Sequence, residues 1–272
     1  MNELQKVEME LFLCFAETCK KLDLNYFLVC GSALGAARHG GFIPWDDDMD
    51  VGMFREDFNK FMELAPSILP ESIFLQNYKS DPEYPYIFAK LRNSNTTYIE
   101  KILSKFNMNH GVFLDIFPLD GYPESPSEQK KLARQKRSFR RKLFCGFDFE
   151  RGYKASALAF ALRVLGYHKR TAKTLEEYEK LISKYPVKYS KIICNHGTWH
   201  AERDYIPVEY YGEGTDAVYE GVMVRVPEMT DQYLTCLYGD WRTPPVHDEQ
   251  KGIHPHDVCD TEKSYTEYLG NI

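Results

Sequence analysis

The sequence predicts an α+β protein: a mixed β-sheet flanked by helices, with a helical insertion at about 125–185. Three observations carry this. Short apolar runs of strand length recur through the first half of the chain and again near 218–227. Amphipathic or capped stretches of helical length lie between them. The block from about 125 to 185 opens on a helix-start signal and reads as helix after helix. At 272 residues, with 43% hydrophobic and 27% charged residues, the composition is that of a globular protein, read as one domain over 1–272.

Taken in order, residues 3–22 place Leu4, Val7, Leu11, Phe15, Thr18 and Leu22 at helical spacing, with Glu8, Glu17 and Lys20 elsewhere, so this helix covers the sheet. Tyr26 to Cys30 is an apolar run, read as a buried strand. Gly31-Ser32 begins a turn into a short helix from Ala33 to Arg38. Asp48 to Met53 alternates as a strand does, with Asp48 and Asp50 on one face, about 7 Å apart by the strand rise, and Met49 and Val51 on the other. Asp46 joins the acidic face if the strand starts early, whereas Asp47 points away. Arg55 to Leu64 is a helix ended by Pro66. Strands follow at Ile73–Tyr78 and Ile87–Leu91, with Lys90 and Arg92 on a shared face, and at Val112–Phe117, where Asp115 is the lone charge. Asp120 before Gly121 reads as a turn.

Ser125-Pro126-Ser127-Glu128 has the pattern of a capping box with Pro at the first helical position. The helix it opens carries Lys130, Lys131, Arg134, Lys136, Arg137, Arg140, Arg141 and Lys142 and no acid from 130 to 142; Lys130, Arg134, Arg137 and Arg141 form one stripe. A loop is expected over 146–153 and helices over about 154–165 and 174–185, the latter capped by Thr174. Val218 to Pro227 is a strand pair or a strand with a Gly bulge. Glu228 to Tyr238 is a helix ended by Gly239.

Asp46, Asp47, Asp48 and Asp50 lie among Trp45, Met49, Val51 and Met53. Carboxylates crowded among apolar neighbours repel each other, and a divalent cation relieves the repulsion. The spacing is not that of an EF-hand loop. The start of a helix at Gly31-Ser32 offers N–H groups to phosphate. Asp115 in its apolar strand needs a partner, and the Asp48–Asp50 cluster is the obvious one. Lys90 and Arg92 are either a solvated edge or phosphate ligands. The basic helix at 130–142 is a solvated face or a platform for a polyanionic acceptor or a membrane surface. Cys194, His196 and His200 match no standard zinc spacing. His247, His254 and His256 are read as loop histidines, or one of them approaches the acidic site.

A net charge of −6 gives no global argument for nucleic acid. No apolar run reaches the roughly 20 residues of a membrane helix, and the charged, amphipathic N-terminus does not read as a signal peptide. Seven scattered cysteines read as reduced thiols, which predicts a cytoplasmic protein, with peripheral contact at the inner face of the membrane through the basic helix.

Tyr26 to Phe54, with its Gly31-Ser32, a spacer of 15 residues from Ser32 to Asp48, and Asp48-Met49-Asp50-Val51, resembles the nucleotidyltransferase-fold signature. More closely, GSALGAARHGGFIPWDDDMDVGM resembles the LicD family of phosphocholine transferases, related to fukutin-type domains. The AKLRN segment, GVFLDIFPLDG and the YGD…PP…H order are similar to that family too, so the likeness spans most of 25–256 and is weakest over 145–200.

The resemblance implies a nucleotidyltransferase-like fold and a Mg²⁺- or Mn²⁺-dependent transfer of phosphocholine from CDP-choline to a sugar hydroxyl, releasing CMP. It implies a glycan or lipid-linked glycan acceptor of teichoic acid or lipopolysaccharide type. Asp48, Asp50 and Asp115 would be catalytic and, with Asp46, hold the metal. Gly31, Ser32, Arg38, Lys90 and Arg92 would bind phosphate. Trp45, Tyr84, Tyr86 and Trp199 are candidates for a choline cage, since quaternary ammonium binds aromatic faces. Other CDP-linked donors such as a CDP-alditol or CDP-ethanolamine, nucleotidyl transfer, a non-catalytic binding protein and an Asp-x-Asp glycosyltransferase stay open as alternatives.

Overall fold

A computed structural model describes residues 1–143, 157, 161, 164–166, 171–198 and 204–269. It is a mixed α+β structure. The main sheet runs in the order β1 (Phe27–Leu28), β2 (Asp50–Phe54), β6 (Val112–Gly121), β4 (Ala89–Asn93) and β3 (Ile73–Gln76). β2 and β6 are parallel; the other pairs are antiparallel. The far end of β6 also pairs with β7 (Ile192–Asn195), which pairs with β8 (Tyr205–Pro207). Two ribbons stand apart: β5 (Thr97–Glu100) with β11 (His256–Asp260), and the hairpin of β9 (Thr215–Tyr219) and β10 (Val222–Val226). The segment at 218–227 is thus the second half of a strand pair, not one bulged strand.

Helix α1 (Glu3–Leu22) begins on a capping box: Gln5 N–H donates to Asn2 Oδ1 at 2.8 Å, and Asn2 N–H to Gln5 Oε1 at 3.1 Å. Gln5 Nε2 also donates to the Asp46 carbonyl at 3.2 Å, which ties the start of the helix to the acidic loop. Val7, Leu11, Phe12 and Phe15 are buried as α1 packs on β6 and β4. Each fully buried side chain of this kind contributes about 1.5–3 kcal/mol.

The first strand is shorter than 26–30. Cys30 takes φ 49° and its N–H donates to the Tyr233 hydroxyl, so the chain turns at once into α2 (Cys30–His39). Gly31 and Ser32 therefore lie in the first turn of that helix rather than in a turn before it. α3 (Arg55–Leu64) follows β2 directly. Asp120 is not in a turn. It lies inside β6, fully buried, and accepts two hydrogen bonds from Arg55 at 2.7 Å, while Arg55 also meets Glu179 at 2.9 Å.

The segment expected to be a helical insertion contains α4 (Pro126–Leu143) and α5 (Thr171–Ile182), which pack through Leu143, Leu175, Tyr178 and Ile182. Ser125 bonds the Ser127 hydroxyl rather than closing the expected box. α5 starts three residues before Thr174, which is buried. The loop at 146–153 and nearly all of 154–165 lie outside the described residues. Two shorter helices, α6 (Val208–Tyr211) and α7 (Thr230–Tyr238), complete the structure, and α7 ends at Gly239 as expected. No helix among the described residues is long and apolar enough to cross a membrane.

Candidate active site

The site grows from a strand register. Asp50 opens β2 and stands opposite Asp115 on the parallel neighbour β6. Asp48, two residues earlier, shares that face. One oxygen from each of Asp48, Asp50 and Asp115 lies within 4.8 Å of the other two, and all three residues are buried. Backbone and hydroxyl groups fix this geometry: Asp50 N–H donates to Ser32 Oγ at 2.8 Å and Asp115 N–H to the Met49 carbonyl at 2.9 Å. Ser32 thereby locks α2 onto the acidic strand. Gly31 is needed there for space, because a Cβ on it would stand 2.9 Å from Asp46 Oδ2.

Lys90 faces Asp115 across the β4–β6 pair. Its Nζ lies 2.9 Å from Asp115 Oδ1, 3.6 Å from Glu100 Oε2 and 3.2 Å from the centre of the Phe113 ring. The 2.9 Å contact makes Lys90 the charge partner of Asp115 Oδ1. Arg92 shares the face, as the alternation predicts, but its guanidinium is engaged by Gln76 Oε1 at 2.6 Å, the Gly111 carbonyl at 2.7 Å and Glu100 at 3.4 Å. It reaches the cluster through Glu100. Burial works against the charge on Glu100, yet Lys90, His254 and Arg92 hold its carboxyl well below the usual range.

His254 is a loop histidine, as expected, and it also reaches the acid cluster. Its Nε2 lies 2.8 Å from Asp48 Oδ2 and its Nδ1 3.3 Å from Glu100 Oε1. Burial disfavours a charged ring, but the two hydrogen bonds outweigh it and push the imidazole up to about 11. Asp47, expected to point away, turns toward the C-terminal segment, yet one of its oxygens lies within 4.8 Å of ligand atoms of both Asp48 and His254. Its carboxylate accepts from Ile253 N–H at 3.0 Å, His254 N–H at 3.2 Å and the Tyr98 hydroxyl at 3.3 Å. It delivers His254 to the site. His256 bonds the Tyr98 hydroxyl, and His247 is exposed.

Glu8 is a residue the sequence reading left outside the site. It comes from α1, is buried, and its Oε2 has no hydrogen-bond partner. Burial first, then Asp48, Asp46 and Asp47, raise its carboxyl well above the ordinary range. A signal existed: Glu8 stands four residues from Leu4 and Phe12, inside the apolar stripe. The same crowding acts on the others. Burial, then Asp48 and Asp115, raises Asp50; burial, then Asp48, lifts Asp46 to about 8; burial lifts Asp115 to about 6 against the pull of Lys90. Glu8, Asp46, Asp47, Asp48, Asp50, Glu100 and Asp115 are set against only Lys90, Arg92 and His254. The all-oxygen set of Asp48, Asp50 and Asp115, with its excess of negative charge, fits a hard divalent cation.

Other predicted residues lie elsewhere. The Arg38 guanidinium donates to the Trp241 carbonyl at 2.9 Å. Trp45 sits edge-on to His39, 6.1 Å between centroids. Tyr84 and Tyr86 pack edge to face at 5.5 Å, with Tyr84 fully buried. Trp199 and His200 lie outside the described residues. Cys194 and His196 bond one another at 3.3 Å. Lys130, Arg134, Arg137 and Arg141 are exposed along α4, while Lys136 turns inward beneath Tyr205.

Residues 23–144, which carry Asp48, Asp50, Lys90 and Asp115, match the family model described as LicD/FKTN/FKRP, nucleotidyltransferase domain. Residues 23–144 are thus similar to a LicD-type nucleotidyltransferase domain. It is 26% identical over 262 residues to the lipopolysaccharide cholinephosphotransferase LicD of Haemophilus influenzae, covering 93% of this chain and 96% of that one. It is 33% identical over 93 residues to the human ribitol 5-phosphate transferase FKRP, covering 33% of this chain and 18% of FKRP. An uncharacterised protein of Rickettsia prowazekii is 31% identical over 108 residues, 40% of this chain and 37% of its own. The two named relatives are, by their names, phosphotransferases.

Proposed function

We propose that this LicD-type enzyme, built on a nucleotidyltransferase-like sheet, transfers phosphocholine from CDP-choline to a sugar hydroxyl of a cell-surface glycan and releases CMP. The observation that carries this is the convergence of Asp48, Asp50 and Asp115 within 4.8 Å, buried beside Lys90. Asp48, Asp50 and Asp115, with Asp46 behind them, would hold Mg²⁺ or Mn²⁺. Bound there, such a cation supplies charge neutralisation on the donor diphosphate and a template for in-line attack.

The remaining steps belong to the protein's own groups. The N-terminal turn of α2, at Gly31 and Ser32, turns its partial positive charge toward the donor phosphates. Lys90 stabilises charge on the departing CMP phosphate, and Arg92 supports it by holding Glu100. Asp115 either takes the proton of the acceptor hydroxyl directly or helps hold an ion that acidifies that hydroxyl. His254 holds Asp48 in place from the side away from Asp50. The whole-length similarity to a cholinephosphotransferase favours choline as the group carried by the donor.

The test is CMP release from CDP-choline with a glycan acceptor and Mg²⁺. Asp48→Ala and Asp50→Ala are each expected to cut the rate at least about a thousandfold, since several kcal/mol of charge stabilisation are lost. Pyrophosphate release from CTP would reject the reading in favour of nucleotidyl transfer. In a competition assay CDP-choline is expected to outrun CDP-ribitol and CDP-ethanolamine; the opposite order would reassign the donor.

A further inference from the structure

Where the tail carrying His254 meets the acidic loop, a second group of donors converges. Ligand atoms of Asp47, Asp48 and His254 lie within 4.8 Å of one another. Asp48 belongs to this group and to that of Asp50 and Asp115, and its two carboxylate oxygens let it serve both. His254 Nε2 stands 2.8 Å from Asp48 Oδ2. Two ligands set at right angles about 2.1 Å from one ion stand about 3.0 Å apart, close to that separation. The other ring nitrogen, Nδ1, meets Glu100 Oε1 at 3.3 Å, and Glu100 is held in turn by Lys90 at 3.6 Å and Arg92 at 3.4 Å. A metal-bound imidazole turns its second nitrogen to just such a fixed carboxylate. Glu100 therefore sets the ring in the orientation that binding requires.

Glu8 is the group that hydrogen bonding leaves unexplained. It is 1% exposed, and its Oε2 has no hydrogen-bond partner. Residues three apart share a helix face, and Gln5, three residues before Glu8, donates to the Asp46 carbonyl at 3.2 Å. Glu8 therefore faces the acidic loop from α1. After burial, the groups that act most on its carboxyl are Asp48, Asp46 and Asp47, and His254 opposes them. A carboxyl buried there with a bare oxygen is unfavourable in either state. Charged, it repels its neighbours; neutral, it leaves a hydrogen-bonding function unmet. A cation between Glu8 and the loop removes both costs.

We propose that Asp47, Asp48 and His254 form a second divalent-cation site, closed from α1 by Glu8, that pins the C-terminal segment to the acidic loop. Its donor set differs from that of Asp48, Asp50 and Asp115, which is oxygen alone. Carboxylates suit Mg²⁺, whereas an imidazole nitrogen among them favours an ion of the Zn²⁺ class. The donors come from three distant parts of the chain: α1, the loop before β2, and the run between α7 and β11. Between Gly239 and His256 that run forms only one 3₁₀ turn, His247–Glu249, so little within it orders it. Asp47 already accepts from the N–H groups of Ile253 and His254. An ion on Asp47 and His254 fixes the run further, and with it the pairing of β11 on β5 that starts at His256.

The experiment is titration calorimetry of Zn²⁺ into the full chain in excess Mg²⁺, which fills the all-oxygen cluster, together with X-ray absorption of the Zn²⁺-loaded wild type. One Zn²⁺ is expected, with one imidazole and no sulfur among its ligands. His254→Gln is expected to raise the Zn²⁺ Kd about a hundredfold and Glu8→Gln about tenfold, while Asp50→Asn changes it less than about twofold. Zn²⁺ should also slow trypsin cleavage after the exposed Lys251 about tenfold in wild type and not in His254→Gln. Wild type that binds no Zn²⁺ under these conditions, a spectrum without imidazole, or Zn²⁺ affinity that survives His254→Gln overturns the proposal. So does loss of Zn²⁺ in Asp50→Asn, which would put the ion in the all-oxygen cluster, and so does a sulfur ligand, which would put it at Cys194 and His196. The absorption spectrum is taken on wild type, so it decides even where a variant fails to fold. CMP release is not measured, so an error in the donor assignment leaves the outcome untouched.

Discussion

At the scale of single residues, the site is a store of like charge. Asp46 and Asp115 are pushed up to about 8 and about 6, and Glu8 and Asp50 are raised as well, with burial the largest cause in each case. A carboxyl whose folded value exceeds its unfolded value of about 4 binds more protons folded than unfolded. Its contribution to stability is full below pH 4 and is lost as pH rises toward the folded value. For Asp46 that window runs from about pH 4 to about 8. In chelator, Asp46→Asn is therefore expected to melt higher than wild type, by a margin that widens from pH 5 to pH 8. Adding Mg²⁺ to wild type should raise its Tm more at pH 8 than at pH 5. Scanning calorimetry of both proteins measures this, and a margin that shrinks with pH would contradict the charge crowding.

Asp48, Asp50 and Asp115 were legible in the sequence because each signal is local: an alternating strand for two, a lone charge in an apolar run for the third. His254 was not. Its place depends on β11 pairing with β5, and on Asp47 catching the backbone at Ile253 and His254 across more than two hundred residues. No periodicity within the tail encodes that.

At the scale of elements, α5 is fastened to the sheet by one buried knot. Arg55 at the start of α3 meets Asp120 at the end of β6 and Glu179 on α5. The Asp120–Gly121 pair looks like a turn, and only the continuation of β6 into its pairing with β7 makes it a strand. Local turn propensity lost to long-range pairing there. Asp120→Ala leaves Arg55 buried with half its compensation gone. Breaking a buried pair from one side costs about 3–5 kcal/mol, so urea unfolding should show a loss of that order. Since Asp120 lies outside the acid cluster, Mn²⁺ affinity of the folded variant should equal that of wild type; a joint loss would mean that the knot also shapes the metal carboxylates.

At the scale of the whole molecule, charge is divided. The chain is acidic at −6, seven of its carboxylates are gathered at the site, and α4 presents an exposed basic stripe of Lys130, Arg134, Arg137 and Arg141. The stripe was readable from helical spacing alone. The inward turn of Lys136 was not, because it depends on the aromatic ring of Tyr205 that β8 brings over it. Each Lys or Arg near an anionic membrane contributes about 1 kcal/mol, screened beyond a Debye length of about 10 Å at 0.1 M salt. Four in a row on one rigid face add up to reversible docking, enough to bring a soluble-donor site to a lipid-linked acceptor. The expected outcome is co-sedimentation with vesicles rich in phosphatidylserine, absent with pure phosphatidylcholine and lost at high salt. Replacing all four stripe residues with Glu should abolish it while leaving CMP affinity unchanged, because the stripe and the acid cluster share no contact shown here. Equal binding to neutral vesicles, or undiminished binding by the charge-reversed variant, would assign the stripe to solvation alone.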